Sequence, residues 1–324
     1  MSKIVRVAAT SMATLEASAP PFNQRIPNPD DNLRLGLSIL EAAAALRADL
    51  VCLPEGFMLA GIPTARLRSL AEPLSGPGVR AVADCAGRHS MYVVAGFYVL
   101  EQGAVSNVAA LFDRSGKLVC TYSKIHPTEY EIDDGVRSGS EVRVFDTDFG
   151  RLGFAICFDL NWPDLWRQLK EERVDLVCWI SAYEGGFPLQ AYAWQHQFPI
   201  VTSVWSYHAK IIERTGRVAA ATSRWGRIAT LDLNLDKQLF HTDCHAQLLL
   251  PMQERYGDRI RIETFTEEHL FTLESLDPLL SMGDIVSEFG LTDYLAYIDR
   301  SARRQAAARS ARPAMPQGRE LADG

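Results

Sequence analysis

Short apolar runs of strand length recur along this chain, and two different kinds of connection join them. Residues 4–9, 50–53, 175–180 and 199–204 neighbour helix-length segments with an apolar face, such as 31–47 and 163–172, the pattern of parallel crossovers. Residues 91–100, 105–112 and 117–122 are separated only by turns, among them Asp113-Arg114-Ser115-Gly116. Residues 142–145 and 151–156 likewise flank Asp148-Phe149-Gly150. Crossovers place helices on sheet faces, whereas hairpins leave strands antiparallel. A chain with both folds as an α/β protein whose sheets are mixed.

Finer expectations follow from the same pattern. Asp30 or Asp31 is expected to cap the first helix, with Leu33, Leu37, Leu40 and Ala44 on its apolar face. Residues 190–196 read as a helix, and 211–220 with 227–233 as a further hairpin. Residues 18–31, rich in Pro and Asn, read as a loop. Past Asp236 the periodicity loosens, and no break marks a second domain before residue 240. Residues 301–324, rich in Ala, Arg and Pro, read as a frayed helix or flexible tail.

The 324 residues carry 33 Lys and Arg against 40 Asp and Glu, a formal charge of −7. That balance argues against a nucleic-acid coat or an anionic-lipid binder. No apolar run approaches the ~20 residues that span a bilayer. Lys3 and Arg6 interrupt what would be the apolar stretch of a signal peptide. Six cysteines without paired spacing fit reduced thiols, so the cytoplasm is the expected compartment.

Three reactive side chains share one context. Glu55 follows the run 50–53, Lys124 follows 117–122 and Cys157 follows 152–156. The ends of strands are where α/β folds gather their sites. A thiol placed just ahead of a helix is expected to feel the positive end of its dipole, and a neighbouring Lys to lower its pKa further. A carboxylate then receives the proton, and nucleophile, cation and base suffice for acyl transfer through a thioester. His241-x-x-Cys244-His245 has metal-ligand residue types, yet nothing completes a tetrahedral set, so neither metal nor cofactor is expected.

The segments Cys52-Leu53-Pro54-Glu55-Gly56, Tyr122-Ser123-Lys124-Ile125-His126 and Gly153-Phe154-Ala155-Ile156-Cys157-Phe158-Asp159 resemble the three motifs of the nitrilase, or carbon–nitrogen hydrolase, superfamily. They stand in that family's order, and the similarity extends over roughly residues 3 to 240. The resemblance implies a four-layer α-β-β-α sandwich with two mixed β-sheets. The domain is expected over 1–250, with an extension over 251–300 at an oligomer interface and the tail beyond. It further implies Glu55 as general base, Cys157 as nucleophile and Lys124 as oxyanion-stabilising cation, with the backbone amide of Phe158 as second donor. A second glutamate is expected to hold Lys124 charged; Glu131 is the choice and Glu129 its competitor.

Cys157-Phe158-Asp159 and Trp162-Pro163-Asp164 are closer to the amidase and N-carbamoyl hydrolase pattern than to the Cys-Trp-Glu of nitrile-cleaving members. Pro127-Thr128-x-x-Glu131 pulls the other way, being similar to a run in true nitrilases. The expected partner is therefore a small linear amide or N-carbamoyl compound. A nitrile substrate, or a non-catalytic binding protein on the same fold, is the alternative. Tyr183, Glu184 and Trp205 are expected to line the substrate mouth, and two or more copies of the chain to associate, with the segment 271–297 at the contact.

Overall fold

Side chains of strand β1 (Ile4–Ser11) alternate, Val5, Val7 and Ala9 entering one apolar layer and Ala8 another, as the two-residue period of a strand requires. The computed structural model, which describes residues 4–13 and 28–310, repeats that division in the next strands. In β2 (Leu50–Cys52), β3 (Tyr92–Glu101) and β4 (Ala104–Phe112), the residues Leu50, Cys52, Tyr92, Val94, Ala109 and Leu111 share the layer of Val7. Val51, Val93, Ala95, Ala110 and Phe112 share that of Ala8. Helices α1 (Pro29–Ala45) and α2 (Pro77–His89) cover this second layer with Ile39, Leu40, Ala43, Val79, Val82 and Ala86.

The chain continues through β5 (Leu118–Ser123), α3 (Glu129–Asp133), β6 (Val136–Arg137), β7 (Val144–Asp146), β8 (Arg151–Ile156) and α4 (Pro163–Glu171). It then forms β9 (Leu176–Ser181), α5 (Phe187–His196), β10 (Ile200–Val204), β11 (Lys210–Ile212), β12 (Val218–Ala221) and β13 (Ile228–Asn234). Hydrogen bonding runs β5-β4-β3-β2-β1 on one side and β10-β9-β8-β7 on the other. The two halves join along β1 and β10, where Thr10 and Ser11 pair with Ser203 and Val204. β3 touches β9 and β4 touches β8 although they are far apart in the ladder, so the halves fold over as two facing sheets. β1–β2 and β8–β9–β10 pair in parallel, β3–β4–β5 antiparallel. Leu165, Trp166, Leu169, Leu189 and Ala193 of α4 and α5 are buried against the second sheet's core. This is the expected α-β-β-α sandwich with mixed sheets.

Two local expectations are corrected. The first helix is capped by Asn28, whose side chain accepts from Asp30 N at 2.9 Å, with Pro29 in the first turn. Asp30 and Asp31 sit in that turn, where negative charge complements the dipole. The segment 211–220 is itself the hairpin β11–β12, and β13 leaves it to pair antiparallel with β1 along its whole length. A strand read from its alternation alone does not disclose its partner.

Contacts divide the chain into two compact units at Leu235 and Asp236. The later unit contains β14 (Gln238–His241), α6 (Leu249–Tyr256), β15 (Ile260–Phe265), β16 (Leu270–Ser275), α7 (Met282–Phe289) and α8 (Tyr294–Ser310). Its antiparallel sheet has the order β14-β16-β15. Phe240, Met252, Phe271, Leu273, Leu280 and Ile285 form a core of its own. α8 carries the beginning of the expected tail, while 311–324, like residues 18–27 of the expected loop, lie outside the described residues. Among the described residues no helix is long and apolar enough to cross a membrane.

Candidate active site

Pro54 ends β2, and Glu55 is presented on a turn that only glycine completes. Gly56 has φ +46°, and a Cβ there would run into the Tyr98 ring. A Cβ on Gly96 would strike Pro54 O in the same way, so β3 presses directly against the turn. Glu55 is 3% exposed. Its Oε1 accepts from Lys124 Nζ and Asn107 Nδ2, each at 2.7 Å, and its Oε2 from Ala182 N at 3.0 Å.

Lys124 leaves the end of β5 and is 1% exposed. Its ammonium donates to Glu55 Oε1 and Glu131 Oε2, both at 2.7 Å. Burial works against the charge, but Glu55, the sulfur of Cys157 and Glu131 outweigh it and hold the ammonium above its usual range. Glu131 is fixed by a capping box: Thr128 N donates to its Oε2 at 2.8 Å, and its own N–H donates to Thr128 Oγ1 at 3.3 Å. Burial pushes its carboxyl up, yet Lys124, Thr128 and Asn107 win, leaving it below the ordinary carboxylate range. Glu129 points to solvent and takes no part.

Cys157 follows the last residue of β8 at φ +47°, a backbone state that costs a non-glycine residue about 1–3 kcal/mol. Its thiol is coupled electrostatically to Glu55 and Lys124, with the Ser181 hydroxyl also acting on it. The expectation of a lowered thiol pKa is overturned. Burial, reinforced by Glu55, pushes the thiol up, and Lys124 and Ser181 do not compensate. The helical segment that follows, Cys157–Asn161, is a single 3-10 turn, with few aligned peptide dipoles to favour an anion.

The four residues expected to do chemistry thus meet at one buried cluster. Two further members went unrecognised in the sequence. Asn107 and Tyr98 are direct partners across β3 and β4. Asn107 Nδ2 donates to both Glu55 and Glu131 at 2.7 Å, and Tyr98 OH to Glu131 at 3.0 Å. The available signal was an Asn inside an apolar strand, where that residue is disfavoured.

Of the expected substrate contacts, Tyr183 is coupled electrostatically to Cys157, Glu55 and Lys124. Burial, then the charges of Cys157 and Glu55, push its phenol up to about 12. Phe158 is half-buried, its ring edge-on to Trp162 at 5.0 Å. Glu184 is half-buried, and Lys210 Nζ donates to its carbonyl at 3.4 Å. Trp205 Nε1 donates to Glu55 O at 2.6 Å, so this indole holds the Glu55 turn.

No metal set forms at residues 241–245. His241 Nδ1 accepts from Asp243 N, and His245 Nε2 accepts from Thr292 N, each at 3.1 Å. Among the described residues the one cluster of metal-ligand types is Glu41, Cys85 and His89 on the outer helices. There Arg88 and His89 each hold Glu41 at 2.5 Å. Burial pushes the Cys85 thiol up to about 11, which keeps it protonated and a poor ligand.

Residues 6–238 match the family described as carbon-nitrogen hydrolase. A deaminated glutathione amidase of Dictyostelium discoideum is 27% identical over 245 residues, 64% of this chain and 84% of the relative. An omega-amidase of Mus musculus is 23% identical over 268 residues, 76% of this chain and 94% of its own. Among solved structures, an amidase from Nesterenkonia sp. superposes with a TM-score of 0.62 at 18% identity, covering 72% of this chain and 91% of its own. Nit3 of Saccharomyces cerevisiae, a member of the nitrilase superfamily, superposes with 0.63 at 17% identity, covering 78% and 94%.

Proposed function

This chain belongs to the carbon–nitrogen hydrolase family, and we propose that it hydrolyses the C–N bond of a small linear amide or N-carbamoyl compound through a thioester on Cys157. The observation that carries the reading is the sharing of one carboxylate. Glu55 accepts from Lys124 Nζ at 2.7 Å and is also coupled electrostatically to the Cys157 thiol.

The cycle follows from those positions. As sulfur attacks the carbonyl carbon, its proton moves to Glu55, and the oxyanion rests on Lys124 and the backbone N–H of Phe158. Glu55 returns the proton to the departing nitrogen, which leaves as ammonia or an amine. Water then gives a proton to Glu55 and attacks the thioester, and the acid departs as Cys157 regains its proton. Glu131 keeps Lys124 charged throughout.

Two findings on relatives support an amide over a nitrile. The relatives named above are amidases, and one form of the Nesterenkonia amidase carries the acetamide moiety of fluoroacetamide on its active-site cysteine. The run Pro127-Thr128-x-x-Glu131, which drew the nitrile alternative, has a structural task here, since Thr128 caps the helix that holds Glu131.

Ammonia release from a panel of amides, N-carbamoyl compounds and nitriles is expected with an amide or carbamoyl member, and Cys157→Ala is expected to abolish it. Equal turnover by wild type and Cys157→Ala would remove the proposal. Glu184→Lys is expected to change the preference between cationic and neutral substrates by about tenfold, one charge contact at the mouth being worth about 1.4 kcal/mol. Identical kcat/KM ratios in the two proteins would exclude Glu184 from recognition. Association of two or more copies belongs to the same proposal: light scattering is expected to give at least a dimer mass, and a monomer at micromolar concentration would remove it.

A further inference from the structure

A second buried carboxylate lies two residues beyond the thiol. Asp159 is 0% exposed, and four donors converge on it. Its Oδ2 accepts from Ile156 N at 2.9 Å and from Tyr122 OH at 2.7 Å. Its Oδ1 accepts from His126 N at 2.9 Å and meets His126 Nδ1 at 3.0 Å. Capping the turn at Cys157 needs only the first of these. The other three come from a different part of the chain, and they straddle Lys124: Tyr122 stands two residues before it and His126 two after. Ile125 N reaches the same group through Tyr122 OH at 3.4 Å.

The link continues through stacked rings. His126 lies parallel to Trp162 at 4.1 Å, and Trp162 meets the edge of Phe158 at 5.0 Å. Ile156 and Phe158 on either side of Cys157, and Tyr122 and His126 two residues to either side of Lys124, are thus linked to one buried carboxylate.

We propose that Asp159 is a positioning residue for the hydrolysis, locking the strained Cys157 turn to both flanks of Lys124 so that nucleophile and cation keep one separation. This rests on the assignment of Cys157 as nucleophile. Asn cannot replace the carboxylate, because its NH2 must face either Ile156 N–H or His126 N–H. Tyr122→Phe is the milder variant, removing one donor and leaving the turn's own cap.

The test measures kcat and KM per native site, with the native fraction taken from the amplitude of cooperative urea unfolding, so that misfolded protein does not enter the rate. Misplacement of reacting groups by about 1 Å costs on the order of 10²-fold. Asp159→Asn is therefore expected to lower kcat about 100-fold with KM within about threefold, and Tyr122→Phe to lower it about tenfold. The double variant is expected to fall no lower than Asp159→Asn alone, because the two side chains act through one linkage. Unchanged kcat per site in both single variants would overturn the proposal, as would a loss confined to KM. Should Asp159→Asn fail to fold, Tyr122→Phe decides alone. If instead Cys157→Ala keeps wild-type turnover, the nucleophile assignment itself has failed, an outcome distinct from a wild type that acylates beside an equally fast Asp159→Asn.

Discussion

Lys124→Met is expected to lose about 3–5 kcal/mol of stability, the cost of removing one partner from a buried ion pair, and to lower amide turnover by about 10³-fold through loss of the oxyanion's cation. The stability arises from geometry already described: two carboxylates, Glu55 and Glu131, share one ammonium at 2.7 Å from each. Without it both are buried and unpaired. The pH dependence separates this cause from a mere packing defect. In the wild type Glu131 lies below its ordinary value of 4.5, so its contribution is present above that value and is lost as pH falls through the folded-state pKa. Lys124 lies above its ordinary value of 10.5, so its contribution is full below that value and is lost as pH rises through the folded-state pKa. The variant lacks both terms. Without the ammonium, desolvation of Glu131 favours its protonated form, so the variant is expected to gain stability as pH falls from about 7 toward 4, opposite to the wild type. Urea unfolding across that range checks the sign. Parallel curves for the two proteins would show that the ammonium is not what holds the carboxylates ionised.

Glu55→Gln is expected to behave differently, losing about 10²–10⁴-fold in kcat, as removal of a general base does, while changing stability by less than about 2 kcal/mol. Glutamine cannot accept from Lys124 and Asn107 on one side and from Ala182 N on the other, so one hydrogen bond is lost. Against that loss, Lys124 is left with one carboxylate, which removes a repulsion between like charges. Steady-state kinetics and urea unfolding of this variant, set beside Lys124→Met, test whether base and cation have the separate roles given to them. Comparable destabilisation in both would mean that Glu55 is chiefly a structural counter-ion.

Glu55, Lys124 and Cys157 were legible because each ends an apolar run, and a strand's end is marked by local signals such as Pro54. Glu131 was expected only through the family resemblance, with Glu129 as its competitor, and the capping box on Thr128 distinguishes the two. Asn107 and Tyr98 were not, because their task depends on the register of β3 against β4, which sets them side by side. The same limit explains β13: its alternation gave the strand, but its partner is β1, more than two hundred residues earlier. The direction of the Cys157 shift was misjudged because burial, the largest contribution, has no local sequence signature. Past Asp236 the short strands β14, β15 and β16 carry alternation too weak to read, although β16 is buried along its whole length. Trp205 was placed at the mouth by its position after a strand, and the structure adds that its indole donates to the Glu55 backbone carbonyl.

The most direct measurement is the intact mass of the protein after rapid acid quench during turnover of an amide that it cleaves, followed by peptide mapping. A mass increase equal to the acyl group, carried on the peptide with Cys157 and absent from Cys157→Ala, is expected within the first turnover. Ammonia released steadily by a protein whose mass never changes, with Cys157→Ala working at the same rate, would contradict the thioester route and the role of this sulfur together.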